Sequence, residues 1–215
     1  MVVTGTVTAQ EGNNVTWLDD GRPPEAGGTG GPVRLLLDGY NGTWDDVKVG
    51  DRLAVAGMVS EDGAGQRIRV RNHAMHPQIP DDVRRLPGLY IQVTPEVGVP
   101  LGSVVTYTVI VSNPLGVAEP VEWSMAVPHA VTFGGWVVQN GAQIEGDTIT
   151  WQGDVDAGGE ELIVFTATLG TDPALRGQTI VATAYLTTAT TGDGLAWGIF
   201  TVEMYRVYMP LIVRE

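Results

Sequence analysis

Three groups of residues in this 215-residue chain are of types that do chemistry. The first is His73-Ala74-Met75-His76, where two imidazoles meet at one metal ion only if the segment turns back on itself. No further His or Cys adjoins them, and a zinc site needs more ligands than these. A solvated strand end is expected there, and His129, after Pro128, reads as a turn residue. The second group is Asp154, Asp156, Glu160 and Glu161, set around Gly153 and Gly158-Gly159. Hard oxygen ligands in a loop suit Ca²⁺, with Asp154 and Asp156 as its candidates. The spacing is not that of an EF-hand, so an acidic loop facing water is the expected state. The third is Arg67, Arg69 and Arg71, which share one face of a strand. With Trp17, Tyr40 and Trp44 available for stacking, they form the kind of surface that takes up an oligonucleotide or a cell-surface glycan. Asp19, Asp20, Asp45 and Asp46 adjoin those aromatics and offset the positive charge. Cross-strand pairing of the arginines with carboxylates is therefore favoured, and nucleic acid is not the expected partner.

No serine lies in Gly-x-Ser-x-Gly, and no nucleophile stands beside a base in sequence. The glycine run 27–31 lacks the Lys-Ser/Thr of a phosphate loop. The expectation is a chain with no catalytic residue, no cofactor and no resident metal. There is no cysteine, which excludes disulfides and thiolate metal sites.

The elements that must carry these groups are short. Twenty-nine glycines and 13 prolines fall between brief apolar runs, a distribution that points to many turns and an all-β chain. The clearest run is 104–112, where Val105, Tyr107, Val109 and Val111 alternate with Thr106, Thr108 and Ser112. This period of two marks a half-buried strand, and Asn113-Pro114 ends it. The best helical candidate is 81–86, about one turn long. Residues 1–86 hold nine Lys/Arg and twelve Asp/Glu, and residues 87–215 hold three and thirteen, which gives −3 and −10. A field of that sign repels nucleic acid and anionic lipid. No stretch has the length of apolar sequence that a spanning helix needs. The start, Met1-Val2-Val3-Thr4-Gly5, lacks the basic and apolar regions of a signal peptide, which reads as a cytosolic protein or a mature or trimmed secreted form.

Five strands are expected in residues 1–78, with glycines at the bends, closing a small barrel. Val3-Thr4-Gly5-Thr6-Val7, Leu18-Asp19-Asp20-Gly21, Val49-Gly50-Asp51-Arg52 and Val55-Ala56-Gly57 resemble bacterial OB-fold domains. Residues 79–88 read as a Pro-containing linker. Residues 89–215 show seven or more strands with regular turn signals, the pattern of a Greek-key sandwich. Gly102 to Val109, Val111-Ser112-Asn113, Pro128 with Val131-Thr132-Phe133, Thr150-Trp151 and Ala157-Gly158-Gly159-Glu160 resemble the immunoglobulin-like conserved-repeat domain of prokaryotic surface and cell-wall proteins. That resemblance implies a spacer, stalk or adhesive module without catalysis, placed outside the cell.

Beyond a turn at Thr191-Gly192-Asp193-Gly194, the end of the chain alternates again. Tyr205, Val207, Met209, Leu211 and Val213 share a face whose burial is worth on the order of 8–15 kcal/mol gross. The segment resembles a terminal stretch of secreted multidomain bacterial proteins. Exposed, it is an aggregation hazard, so a docking place is expected in the chain's own sandwich, in the cleft against the barrel, or in another copy. The reading is a structural or adhesive surface protein, self-assembling into a filament by strand addition, with a ligand-binding barrel face as the alternative.

Overall fold

The computed structural model describes residues 1–12, 14–19, 32–37, 42–63, 65–73 and 82–204. These are all-β apart from one 3-10 turn at Pro173–Leu175. The amino-terminal strands are β1 (Val2–Glu11), β2 (Val15–Asp19), β3 (Val33–Leu36), β4 (Arg52–Ala56), β5 (Met58–Asp62), β6 (Gly65–Arg69) and β7 (Val83–Arg85). They form one sheet in the order β5-β6-β3-β2-β1-β4-β7. Its pairs are antiparallel except β3 with β6, where Leu35 lies opposite Ile68.

Only Gly57 separates β4 from β5, which sit far apart in that order. The two are halves of one bent strand, and its bend closes the sheet on itself. A Cβ at position 57 would stand 2.4 Å from Ile68 Cγ2 and 2.6 Å from the Arg69 carbonyl, so the bend admits only glycine. Counting the bent strand once, β1, β2, β3, β4/β5 and β6 are the five strands expected of the barrel. Val7, Leu18, Leu35, Trp44, Leu53, Val55 and Ile68 fill its interior. Strand β7 is an addition at the β4 edge. It falls in the stretch read as a linker and in the one helical candidate, and it is extended because its backbone pairs with Leu53, Ala54 and Val55. Residues 74–81 lie outside the described part.

The remaining strands are β8 (Gly88–Thr94), β9 (Val104–Ser112), β10 (Glu119–Ala126), β11 (Val131–Val138), β12 (Gln143–Glu145), β13 (Thr148–Val155), β14 (Glu160–Leu169), β15 (Thr179–Thr188) and β16 (Gly194–Thr201). They make a sandwich of two antiparallel sheets, β12-β13-β10-β15-β16 and β11-β14-β9-β8. The alternation in β9 is realised fully, with Val105, Tyr107, Val109 and Val111 all 0% exposed. Tyr107 lies opposite Phe165, and the two rings stack with centroids 4.8 Å apart. Trp123, Met125, Ile149 and Leu186 complete the core from the facing sheet. The buried Asn113 ends β9: its Nδ2 donates to the carbonyls of Val117 and Val155 at 2.8 and 2.9 Å, and its Oδ1 accepts from Leu115 N at 3.0 Å. Among the described residues, no helix is long and apolar enough to cross a membrane.

Candidate functional site: the barrel–sandwich junction

Strand β7 ends at Arg85 and β8 begins at Gly88, so two residues, Leu86 and Pro87, join barrel and sandwich. Side chains from both meet around that connection. Arg52, on β4, is 3% exposed. Its Nη2 donates to Thr191 O at 2.6 Å, and its Nη1 donates to Thr191 Oγ1 at 3.2 Å and to Pro87 O at 3.3 Å. The guanidinium thus crosses from the barrel into the β15–β16 turn. Burial lowers its pKa, while Asp193 and Glu119 act in the opposite direction. A Cβ on Gly194 would lie 2.8 Å from Arg52 Cδ, so the second glycine of the turn clears the path of the arginine.

From the sandwich side, the buried carboxylate of Glu119 holds the same turn, accepting from Thr190 N at 2.8 Å and Thr190 Oγ1 at 2.6 Å. Thr188 and Thr191 share a hydroxyl contact of 2.7 Å inside it. Two further bonds cross the junction. Tyr90 OH donates to Asp51 Oδ1 at 2.7 Å, and Thr6 Oγ1 donates to Leu195 O at 3.2 Å. Burial, and then the bond to Asp51, push the Tyr90 hydroxyl well above the ordinary tyrosine range.

Tyr90 also borders two clefts. One, of about 340 Å³, is polar and lined by Lys48, Asp51, Arg85, Ser112 and Glu160 among others. The other, of about 460 Å³, is apolar, with Leu89, Ile91, Ala196, Trp197, Ile199 and Val49 in its lining. Leu89 and Ala196 are buried in its floor, while Ile199 and Val49 are 49% and 57% exposed at its rim.

The residues singled out in the sequence fall elsewhere. Arg67 and Arg69 do share a face of β6, opposite the buried Ile68. Arg67 pairs with Asp62 and donates to Ser60 Oγ at 3.1 Å, and Arg34 reaches the other oxygen of Asp62 at 2.5 Å. Arg71 grips Asp82 through Nε at 3.0 Å and Nη2 at 2.6 Å. Trp17 is half-buried on β2. Trp44 is not on that face: it is 1% exposed in the barrel core, its Nε1 donates to Asn14 O at 3.2 Å, and its ring packs 5.6 Å from His73. A tryptophan in a loop carries no periodicity, which is why its side could not be read from sequence. His73 bonds Asp46 Oδ1 through Nε2 at 2.9 Å. Asp154 and Asp156 are both exposed, and Asp156 uses its backbone carbonyl to receive Gly159 N at 2.9 Å. Among the described residues, no three His, Cys, Asp or Glu side chains cluster to hold a metal ion. Tyr205, Val207, Met209, Leu211 and Val213 lie outside the described residues, as do Tyr40 and His76.

No family model matches the chain, and no curated protein matches it. Among solved structures it is similar to the type III cohesin module from the cellulosomal ScaE cell-surface anchoring scaffoldin of Ruminococcus flavefaciens, with a TM-score of 0.40. That match has 11% identity and covers 54% of this chain and 87% of the other. BslA, a bacterial hydrophobin, is similar at 14% identity and a TM-score of 0.38, over 55% of this chain and 96% of the other. The CARDB domain of the PF1109 protein from Pyrococcus furiosus is similar at 16% identity and a TM-score of 0.34, over 56% of this chain and 98% of the other.

Proposed function

We propose that this protein is a non-catalytic structural component of an extracellular surface, in which the barrel, with β7 as its last strand, and the sandwich, from β8 onward, act as one stiff body. The observation that supports this reading is the Arg52 arrangement. A buried guanidinium that donates to the carbonyl and the hydroxyl of Thr191 in the neighbouring unit fixes orientation, because both bonds are lost if the units rotate apart. The two-residue connection and the Tyr90–Asp51 bond act in the same direction. Domains that work by moving relative to each other are joined by smaller, wetter contacts and longer linkers.

The polar groups of the barrel face fit the same role. Arg34 and Arg67 share Asp62, and Arg71 is held by Asp82, so these arginines brace strands and already have carboxylate partners. A structural surface component must be reachable from outside the cell. Brief protease treatment of intact cells of the source organism is expected to remove the protein while a cytosolic marker survives. Survival of the full chain until the cells are lysed would contradict the reading.

A further inference from the structure

The outer face of the four-stranded sheet is built without charge. Thr94, Thr106, Thr166 and Gly135 lie side by side across β8, β9, β14 and β11, and Gln92, Thr108, Val164 and Val138 form the next row. Outside the first of these rows comes Val104 with Thr168 and Thr132, and outside the second comes Ile110 between Tyr90 and Leu162. No residue in these four rows is charged, in a chain whose formal charge is −13. Val104 is 56% exposed and Leu162 43%, so both outer rows reach solvent. The outer face of the five-stranded sheet differs, because Glu122, Glu145 and Asp154 are exposed there.

What can cover such a face follows from what it lacks. With no cation it does not hold an anionic ligand, and with no carboxylate it does not hold a cation. Tyr90, the one aromatic residue in the rows, is tied to Asp51, so no ring is free to stack on a sugar. What remains are the methyl groups and hydroxyls of mostly β-branched side chains on a pleat, and these pack against another sheet about 10 Å away. A covering sheet that carried charge would lose its hydration and find no partner here. The cover must be as free of charge as the face itself, and a second copy supplies one. Strands about 4.8 Å apart and rows about 6.8 Å apart give the face an area on the order of 500 Å². Two copies together bury about 1,000 Å², which is where specific interfaces begin.

The barrel fixes the direction of stacking. Ser112 and Glu160 form the next row beyond Leu162, and they share the polar cleft with Lys48 and Arg85 of the barrel. The barrel therefore blocks that end of the face, and two copies stack only with their barrels at opposite ends. A twofold axis running across the strands meets this condition. It lays β14 on β14 in the reverse direction, which brings Leu162 of one copy to Thr168 of the other.

We infer that the outer face of β11-β14-β9-β8 is the contact between two copies of this chain, related by that twofold axis. The inference deepens the structural reading and rests on it, because it names what the stiff unit joins. A contact of this kind uses the same patch on both copies, so it closes at two and does not grow into a filament.

Light scattering on the full chain over a concentration series reads the association. The mass is expected to rise to twice that of one chain and no further. A chain that stays monomeric, or one that grows beyond two copies, would overturn the inference. Leu162→Asp is expected to weaken pairing by at least about tenfold, because each pair would bury two unpaired carboxylates. Adding Thr168→Lys to the same chain gives each carboxylate a partner across the contact and should recover most of that loss; no recovery would overturn the twofold arrangement. Tyr185→Asp, on the outer face of the other sheet, should leave pairing unchanged. Leu162, Thr168 and Tyr185 are all exposed, so the variants should keep the denaturation midpoint of the parent. Pairing lost in Tyr185→Asp and kept in Leu162→Asp would overturn the inference by moving the contact to the other sheet. A monomeric parent that is retained on a neutral polysaccharide, and freed by Leu162→Asp, would replace the second copy with a glycan. A monomer that protease removes from intact cells would refute the pairing and leave the structural reading intact, whereas a dimer released only by lysis would do the reverse.

Discussion

The barrel and the sandwich solve the same problem with different means. In the sandwich, two faces of alternating apolar residues meet, and the core from Leu89 to Val202 is continuous and aromatic at its centre. Its buried Asn113 and Glu119 serve loop ends. In the barrel the apolar interior is smaller, and charged pairs tie the wall: Arg34 and Arg67 on Asp62, Arg71 on Asp82, and Arg85 beside Asp46 and Asp51. The lesson is that the sandwich is built around one large apolar core, whereas the barrel adds ion pairs to a smaller core and meets the sandwich through Arg52. The formal charges follow this division, with nine of the twelve Lys/Arg in residues 1–86.

The largest expected effect lies in the sandwich core. Phe165→Ala removes the ring stacked on Tyr107 and also packed against Phe133 and Trp136, and should cost about 3–5 kcal/mol. Chemical denaturation followed by tryptophan fluorescence checks it, and a loss below 1 kcal/mol would remove the contrast between the two units. Arg52→Ala comes next, at on the order of 2–3 kcal/mol for charged hydrogen bonds lost from a buried site. It should also separate a single calorimetric transition into two, with the barrel melting first. A single transition at an unchanged temperature would show that the barrel does not depend on its neighbour.

Gly57→Ala tests closure of the barrel alone. Its new methyl meets Ile68 and the Arg69 carbonyl, and overpacking of this kind costs roughly 1–3 kcal/mol. The barrel transition should fall while the sandwich transition stays in place. The pH dependence separates the units further. Burial alone would raise the Asp82 pKa, but hydrogen bonds from Arg71 and Asn72, with the charge of Arg71, bring it below the usual carboxylate value. A depressed carboxyl stabilises the fold above its unfolded pKa of about 3.9, and that contribution disappears as the pH falls through the lower, folded value. The barrel should therefore lose stability on acidification through that window, and Asp82→Asn should flatten the loss. The smallest effect is expected from Arg67→Ala, a partly exposed pair worth about 0–1 kcal/mol; a larger loss would make the arginine face more than bracing.

Much of this was legible in the sequence, and the reason is local. Strand β9 could be placed because its period of two follows from side chains alternating across a pleat. The five barrel strands followed from short runs between glycines. What was hidden depends on partners far along the chain. Strand β7 is a strand only because β4 offers it an edge, and nothing within 83–85 announces this. Arg52 was one residue of a turn motif, and its partner Thr191 is 139 positions away. The Thr191 to Gly194 turn was recognised, but its role as the socket for a barrel arginine needed the fold. Trp44 and the arginines of β6 were grouped by chemistry alone, and the loop carrying Trp44 turns it inward to the barrel core, away from Arg67.

The stiffness of the junction is measured most directly by pulsed electron resonance between two spin labels, one on each unit. Met58→Cys on the barrel and Val137→Cys on the sandwich are both at exposed positions, and with no native cysteine the labels go nowhere else. Labelled chain diluted into unlabelled chain should give one narrow distance distribution, which broadens when Arg52→Ala is added. A broad distribution in the parent background, unaltered by the loss of Arg52, would contradict the claim that barrel and sandwich form one stiff body.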